Sequence, residues 1–254
     1  MKRAVPAGML LLTLLTLLTA VSTARADSHA RSLELWGFQG IATQSLKDWN
    51  DRNDFFDSGL EFFGIPGQVH GFGQAIPYGG ELSYRLWRRV WVGVATSQQE
   101  AIASNRVNDP VGLIIPGVPG TYTERFELSL RRVMIVVGVE IPGTSVFTWA
   151  NLGYGFADAE SRSSFRANAE PSLNFDTQNT WDGNAMVGGL AIGLRRELGG
   201  RLLVRTSVGY QAANMGELDG PLGPPLNILG EPMETDFSGF WLSAGIGLVL
   251  TGAR

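Results

Sequence analysis

The sequence predicts an all-β fold: an eight-stranded antiparallel up-and-down barrel that crosses a membrane with its strands. In eight segments, apolar side chains recur at every second position, which is typical of strands with two different faces. Short and long connections alternate between these segments. After the first 26 residues, no apolar stretch is long enough to cross a membrane as a helix. A membrane-spanning form would therefore have to be a closed barrel, because only helices and barrels satisfy every backbone group in lipid.

The first 26 residues have the pattern of a secretory signal peptide. Lys2 and Arg3 precede an apolar core of Leu and Thr, and Ala24-Arg25-Ala26 is a small-residue cleavage site. We expect cleavage after residue 26, which leaves residues 27–254 as one barrel domain. An uncleaved membrane anchor is the alternative.

The charge and the cysteine content exclude several classes of function. The whole chain has 20 Lys and Arg against 24 Asp and Glu, and loss of the signal peptide leaves 17 against 24, a net charge of −7. Nucleic-acid binding is not expected, because neutralising phosphates needs a basic surface. The absence of Cys excludes disulfides, Cys-ligated metals and a lipid-modified N-terminal Cys. No cofactor or metal is expected, since the His and Asp residues have no recognisable ligand spacing.

The eight segments with a period of two are the predicted strands. They are Leu33–Ala42, Gly79–Trp87, Val90–Gln99, Thr123–Val139, Val146–Ala157, Trp181–Leu194, Leu202–Ala213 and Phe237–Leu250.

The connections between the predicted strands alternate in length. Three are tight turns, near residues 88, 142 and 198, and four are long, over 43–78, 100–122, 158–180 and 214–236. This alternation places all tight turns on one rim and all long connections on the other. Outer-membrane barrels have this arrangement, with short periplasmic turns and long extracellular loops.

The two faces of each predicted strand differ in polarity, and this difference predicts which face is inside. A membrane barrel is apolar outside and polar inside, and a charge that faces lipid costs about 2–4 kcal/mol near the midplane. We therefore assign the polar face to the interior and predict a luminal network of ion pairs. Its predicted members are Glu81, Arg85, Glu127, Arg131 and Arg205.

The predicted fourth strand contains a break in the pattern. Phe126, Leu128 and Leu130 alternate with charged residues and are predicted to face lipid, but Arg131 and Arg132 are adjacent. A β-bulge would turn both guanidinium groups inward; the alternative is that Arg132 lies near the membrane interface. The bulge would leave three apolar side chains facing lipid, namely Val133, Ile135 and Val137.

Aromatic residues near strand ends predict interfacial belts. The candidates are Trp87, Trp91, Trp149, Tyr154, Trp181, Tyr210 and Trp241.

The last predicted strand carries the most specific motif. Ser243, Gly245, Leu248 and Leu250 fit the pattern polar-x-Gly-x-x-apolar-x-apolar, with Leu in place of the usual aromatics. With the strand layout, this motif resembles small eight-stranded outer-membrane β-barrels of the OmpA-like and OmpW-like kind, within the broad outer-membrane protein β-barrel domain family. The resemblance implies the outer membrane of a Gram-negative-type bacterium, contact with its lipid, and insertion by the barrel-assembly machinery, which reads this motif.

Three functions remain open at this point. Eight strands leave an interior about wide enough for side chains to fill, so the first is a structural or narrow porin-like barrel with a polar, largely side-chain-filled lumen. The second is a binder or conduit for small hydrophobic molecules, which the OmpW-like resemblance suggests. It would use an apolar stretch in the second long connection, formed by Val111, Leu113, Ile114, Ile115 and Val118.

The third function is a lipid-modifying enzyme that uses His70, because barrel-type lipid-modifying enzymes resemble one another in using a His. Ser58, Asp57 and Asp109 are its candidate partners, but nothing in the sequence places them within hydrogen-bond reach. The sequence has no His-x-Ser pair and no G-x-S-x-G motif. Catalysis is therefore not expected.

The first long connection has a helical spacing of apolar residues. Ser45-Leu46-Lys47-Asp48 resembles a capping box with Ser45 as N-cap. The spacing predicts a short amphipathic helix over 45–58, which could lie on the surface, cross the barrel mouth or plug it. The residues on this spacing are Leu46, Trp49, Asn53, Phe56 and Leu60.

Overall fold

The structure, a computed structural model, describes residues 31–87, 89–227 and 229–251. The predicted signal peptide lies outside these residues. The strands are β1 (Leu33–Ala42), β2 (Gly67–His70), β3 (Tyr78–Arg85), β4 (Val90–Asp109), β5 (Gly120–Glu140), β6 (Val146–Ala167), β7 (Phe175–Leu198), β8 (Leu202–Ala212), β9 (Asn214–Glu217), β10 (Glu234–Asp236) and β11 (Gly239–Thr251). One α-helix, α1 (Lys47–Phe62), and a 3₁₀ turn (Pro171–Leu173) lie between strands.

Eight of the strands form a closed antiparallel ring, which confirms the predicted fold class. The order around the ring is β1, β3, β4, β5, β6, β7, β8 and β11, and β11 pairs with β1 to close it. Gly37 lies opposite Ile246 in the closing pair. Among the described residues, no helix is long and apolar enough to cross a membrane.

Four neighbouring strands are much longer than the other four. β4 to β7 have 20, 21, 22 and 24 residues, whereas β3 has eight and β11 has 13. Much of the predicted second and third long connections is therefore strand. We call the added part of these four strands the extension. It starts at the pair Gln99–Leu130 and continues away from the tight turns. It comprises 99–109, 120–130, 157–167 and 175–183.

Below the extension, the outward side chains of the barrel form an apolar belt. Leu190 is the most exposed of them, at 67 %. The belt includes Leu35, Leu82, Val94, Val133, Ile135, Val137, Leu152, Met186, Leu190, Ile192, Val208, Phe240 and Ile246. A surface of this composition around a closed ring fits hydrocarbon better than water.

In the extension the two faces are exchanged. Phe126, Leu128 and Leu130 are buried inside, whereas Glu127 lies outside and is half-exposed. Arg131, next to the extension on β5, also lies outside and is exposed. The prediction that the three apolar residues face lipid was wrong, as was the inward assignment of Glu127 and Arg131. The reason is that the extension rises above the belt, where a polar outer face suits water and the apolar face forms a core.

The adjacent arginines point to opposite sides of the barrel without a bulge. Arg131 pairs with Gln98 and Arg132 with Ser97 in one continuous register, so Arg131 is exposed and Arg132 is buried in the lumen. The predicted bulge was wrong, and so was its alternative of Arg132 at the interface. Ordinary alternation is possible because Arg131 lies just above the belt.

The helix α1 lies against the inner face of the extension and covers the barrel mouth. Leu46, Trp49, Asn53 and Leu60 are buried, as the helical spacing predicts. The predicted capping box is wrong: the N-cap is Leu46, with a φ of 27°, and no side chain caps the helix. The helix ends at Phe62, four residues beyond the predicted end, because Leu60 still packs against Ile65 and Val107.

Only part of the predicted aromatic belt faces outward. Trp87, Tyr154 and Tyr210 are exposed. Trp91 is buried, Trp149 and Trp241 line the lumen, and Trp181 packs in the core of the extension.

Candidate functional site in the lumen

The lumen is closed at the turn rim by a cluster of two carboxylates and two guanidinium groups. Strand alternation directs Glu34, Arg85 and Arg195 inward, near the β3–β4 and β7–β8 turns. Arg195 Nη2 lies 2.6 Å from Glu34 Oε1, and Arg85 Nη2 lies 2.7 Å from Glu140 Oε1. The cross pairs, Arg85 with Glu34 and Arg195 with Glu140, are each 3.3 Å apart. Each charge in this turn-rim cluster therefore has two partners of opposite sign.

Two indole rings complete the turn-rim cluster. The Trp36 indole nitrogen donates to Glu34 Oε2 at 3.2 Å, and the Arg195 guanidinium lies 5.1 Å from the Trp36 ring centroid. The guanidinium groups of Arg85 and Arg195 lie 6.0 and 5.8 Å from the ring centroid of Trp91. Guanidinium groups over indole faces gain cation–π attraction, so the cluster is held by packing as well as by charge.

A second layer of polar contacts lies higher in the lumen. Arg205 Nη2 pairs with Glu81 Oε2 at 2.7 Å, and the guanidinium lies 4.5 Å from the Trp36 ring. Ser207 and Ser243 share a hydrogen bond of 3.1 Å. Arg132 Nε donates to Ser97 Oγ at 2.9 Å, and Arg132 also donates to Gln211. The cavity left between these side chains has a volume of about 40 Å³, which is far from a continuous pore.

The structure brings together three of the five predicted luminal residues. Glu81, Arg85 and Arg205 lie inside, whereas Glu127 pairs with Arg125 and Arg131 with Asp158 on the outer surface. Four further residues belong to the network and were not among its predicted members: Glu34, Glu140, Arg132 and Arg195. Arg195 has the polar parity of its predicted strand, which was the available signal for that residue. Arg132 and Glu140 have the parity that was predicted to face lipid, so alternation alone pointed the wrong way for both.

The opposite end of the lumen is closed by an apolar cap. The Trp49 ring lies 6.0 Å from Phe72, 5.7 Å from Phe126 and 6.4 Å from Trp181, measured between centroids. The wider core also includes Met215, Leu218 and Met233 from the fourth long connection, and Phe237 from the segment between β10 and β11. The inside of the extension is thus a packed apolar core, which resembles the interior of a soluble barrel.

A buried ion pair fixes the helix to the extension. Arg52 donates to both carboxylate oxygens of Glu124, at 2.9 and 3.2 Å, and lies 4.7 Å from the Phe126 ring centroid. Asn105 donates to Glu124 and to Asn53, at 3.3 and 3.2 Å. A bidentate pair of this kind fixes orientation as well as charge, so α1 is held in one position over the mouth.

His70 is exposed at the end of β2, and its proposed partners have other roles. Ser58 donates to the Asp54 carbonyl oxygen within α1. Asp109 is fully buried and accepts from the backbone nitrogens of Gly112 and Ile114, at 2.9 and 2.8 Å. Within the described part of the chain, no hydrogen bond joins His70 to Ser58, Asp57 or Asp109. The geometry therefore assembles no nucleophile and base at His70.

The residues of the predicted assembly motif lie on β11 with their expected parity. Ser243 and Gly245 point into the barrel, and Leu248 and Leu250 point outward and are exposed.

The closed eight-stranded ring, the apolar outer belt and the ion-paired lumen together are the architecture of small outer-membrane β-barrels. Among solved structures, the chain is similar to the attachment invasion locus protein Ail of Yersinia pestis, with 9 % identity, a TM-score of 0.41 and coverage of 86 % of this chain and 98 % of that one. It is also similar to OprG from Pseudomonas aeruginosa, with 12 % identity, a TM-score of 0.38 and coverage of 89 % and 98 %. No protein-family model matches the chain, and no curated protein matches it.

Proposed function

We propose that this protein is an outer-membrane barrel with a closed lumen, which anchors a rigid extracellular extension instead of conducting solutes. The observation that carries the proposal is closure at two levels. The turn-rim cluster of Glu34, Arg85, Glu140 and Arg195 fills one end, and the core around Trp49 fills the other.

The outer surface supports the proposed location. The apolar belt would lie in hydrocarbon, the tight turns would face the periplasm, and the extension would stand outside the cell. Export would use the predicted signal peptide. Insertion would use the barrel-assembly machinery, which would read Ser243, Gly245, Leu248 and Leu250.

Single-cysteine labelling tests the location, because the natural chain has no Cys. In whole cells, a membrane-impermeant maleimide should label Leu113→Cys at the tip of the β4–β5 connection. It should label Thr144→Cys, in the β5–β6 turn, only after the outer membrane is permeabilised. Equal labelling of both in intact cells, or of neither, would contradict the proposed location.

Planar-bilayer recordings test closure. We expect the wild-type protein to give no lasting conductance steps. The double variant Arg85→Ala and Arg195→Ala removes both guanidinium groups from the turn-rim cluster. It tests whether this cluster contributes to closing the lumen. Arg131→Ala is the matched control, since it removes an outward guanidinium. Large, lasting steps from the wild-type protein would overturn the closed-lumen proposal.

Binding of small hydrophobic molecules is the second candidate, and exposed side chains at the outer tip favour it. Val111 and Leu113 are exposed in the β4–β5 connection, and three aromatic residues of α1 and its C-cap, Phe55, Phe62 and Phe63, are exposed as well. Beneath them Leu60, Ile65 and Val107 are buried and packed with Ile114, so the candidate is a surface rather than a conduit. Deleting residues 111–118 without loss of binding to a hydrophobic probe would remove this candidate.

A further inference from the structure

One buried guanidinium in the lumen has no carboxylate partner. Arg132 is 8 % exposed, and its Nε and Nη1 donate to Ser97 and Gln211, which are both neutral. Within the described residues, Arg132 forms no ion pair and its Nη2 makes no hydrogen bond. The other inward guanidinium groups of the barrel, on Arg85, Arg195 and Arg205, each pair with a carboxylate.

The charges around Arg132 therefore do not balance. At the turn rim, Glu34 and Glu140 neutralise Arg85 and Arg195, and higher up Glu81 neutralises Arg205. One positive charge is left at Arg132. An uncompensated charge away from water costs several kcal/mol, so such charges in proteins are usually paired or bind an ion.

The cavity beside Arg132 is large enough to hold a counter-ion. Its volume is about 40 Å³, and its walls include Arg132, Arg205, Asn151 and Ser243. An ordered water needs about 10–15 Å³ by this measure, so the cavity fits a monatomic anion or a few waters. The indole nitrogen of Trp149, another wall residue, is buried without a hydrogen-bond acceptor among the described residues.

From this arrangement we propose that the lumen contains a binding site for one small monovalent anion, chloride in physiological salt, with Arg132 as its main ligand. The cavity is too small for phosphate or sulfate with their hydration. Glu81 is the competitor for Arg132, because it also lines this cavity and its buried Oε1 accepts no hydrogen bond within the described structure. If Glu81 turned to pair with Arg132, the site would hold no anion.

Bromide is the probe, because its anomalous scattering identifies it in crystals of the purified full-length protein. We expect one anomalous peak in the luminal cavity next to Arg132. The peak should be absent in Arg132→Gln and retained in Arg131→Gln, the neighbouring outward residue. The Glu81→Gln variant removes the competing carboxylate and should keep or increase the occupancy. A cavity without bromide in both the wild-type protein and Glu81→Gln would overturn the proposal.

Thermal unfolding in detergent gives a second measurement. At equal ionic strength, chloride should raise the Tm of the wild-type protein above its value in gluconate, which is too large for the cavity, by about 2–4 °C. Arg131→Gln should keep this difference and Arg132→Gln should lose it. Should Arg132→Gln fail to fold, Glu81→Gln decides the matter: a chloride-dependent increase at least as large as that of the wild type supports the site. Equal Tm values in chloride and gluconate for the wild-type protein and Glu81→Gln would count against it.

Discussion

The indole nitrogen of Trp49 donates a hydrogen bond to the hydroxyl of Thr235, 3.1 Å away, and this contact joins the first long connection to the fourth. Trp49 lies on α1 and Thr235 on β10, 186 residues apart in sequence. Both are buried. The two connections therefore form one unit over the mouth of the barrel.

Replacing Trp49 should destabilise the whole extension. Trp49→Ala removes a buried indole among Phe72, Phe126 and Trp181, and such truncations cost about 3–5 kcal/mol. Trp49→Phe keeps much of the packing and loses the bond to Thr235, for which we expect a cost nearer 1 kcal/mol. Urea unfolding measures both, with Phe55→Ala, an exposed change on the same helix, as the control. Equal stabilities of Trp49→Ala and Phe55→Ala would contradict the packing argument.

Two carboxylate substitutions should differ because one carboxylate is buried and the other is not. Glu34→Gln leaves Arg85 and Arg195 short of a counter-charge inside the lumen, and losing one partner of a buried pair costs about 3–5 kcal/mol. Glu127→Gln breaks an exposed pair with Arg125, which is worth at most about 1 kcal/mol. Equilibrium unfolding in detergent micelles compares them. A larger loss of stability in Glu127→Gln than in Glu34→Gln would contradict this expectation.

Adding one methyl group to a glycine of the barrel strands should be harmful only where a ring is in the way. A Cβ at Gly138 would overlap the indole ring of Trp91, and overpacking of this kind costs about 1–3 kcal/mol. A Cβ at Gly37 would meet nothing within 4 Å, so Gly37→Ala on β1 is the matched control. Refolding yield and unfolding midpoint report the difference, and similar values for both variants would contradict it.

A charge should be costly in the belt and harmless in the extension on the same strand. On β7, Leu190 lies in the belt and Thr180 faces outward from the extension. We expect Leu190→Arg to lose about 2–4 kcal/mol of folding free energy in lipid vesicles. Thr180→Arg should change stability by less than about 0.5 kcal/mol. If both variants fold equally well in vesicles, the belt has been assigned to the wrong level.

Alkaline pH should weaken the extension through Tyr122. Burial, with help from the Glu124 carboxylate, raises the pKa of the Tyr122 hydroxyl from 10.0 to about 12. The folded protein therefore keeps this proton after the unfolded chain has lost it. The contribution of this proton to the free energy of unfolding is fully present below about pH 10. It is lost as pH rises from about 10 to about 12, by about 1.4 kcal/mol for each unit of difference between the folded and unfolded pKa. Tyr122→Phe should show a shallower decline over this range, and identical pH profiles would contradict the shift.

The alternation of side chains made most of the barrel predictable. In β1, β3, β8 and β11, apolar residues alternate with charged, small or hydroxyl residues. The predicted bounds of β1 match the observed ones, and those of the other three differ by at most two residues at either end. Alternation defines two faces but does not say which one is inside. Which face points inward depends on the medium around the strand, and β5 passes from lipid into water near Arg131.

The luminal site was less predictable, because it depends on register between strands distant in sequence. Glu34 meets Arg195 only because β1, β11, β8 and β7 are neighbours around the ring. Arg132 could be placed only once its partner across β4 was known to be Ser97. By contrast, the helix over the mouth was predictable from local spacing, since the positions of Leu46, Trp49 and Leu60 repeat with the helical period.

The exchange of faces along β5 also fixes the height of the protein relative to the bilayer. Val133 is outward and apolar, and Arg131, two residues above it, is outward and paired with Asp158. Two residues of a tilted strand correspond to about 5 Å of vertical travel. A descent of that size would take a guanidinium and a carboxylate into hydrocarbon, and an equal ascent would expose Val133 and Met186, at the top of the belt, to water. The barrel is thus held at one level, and a bilayer of different thickness would have to deform around it.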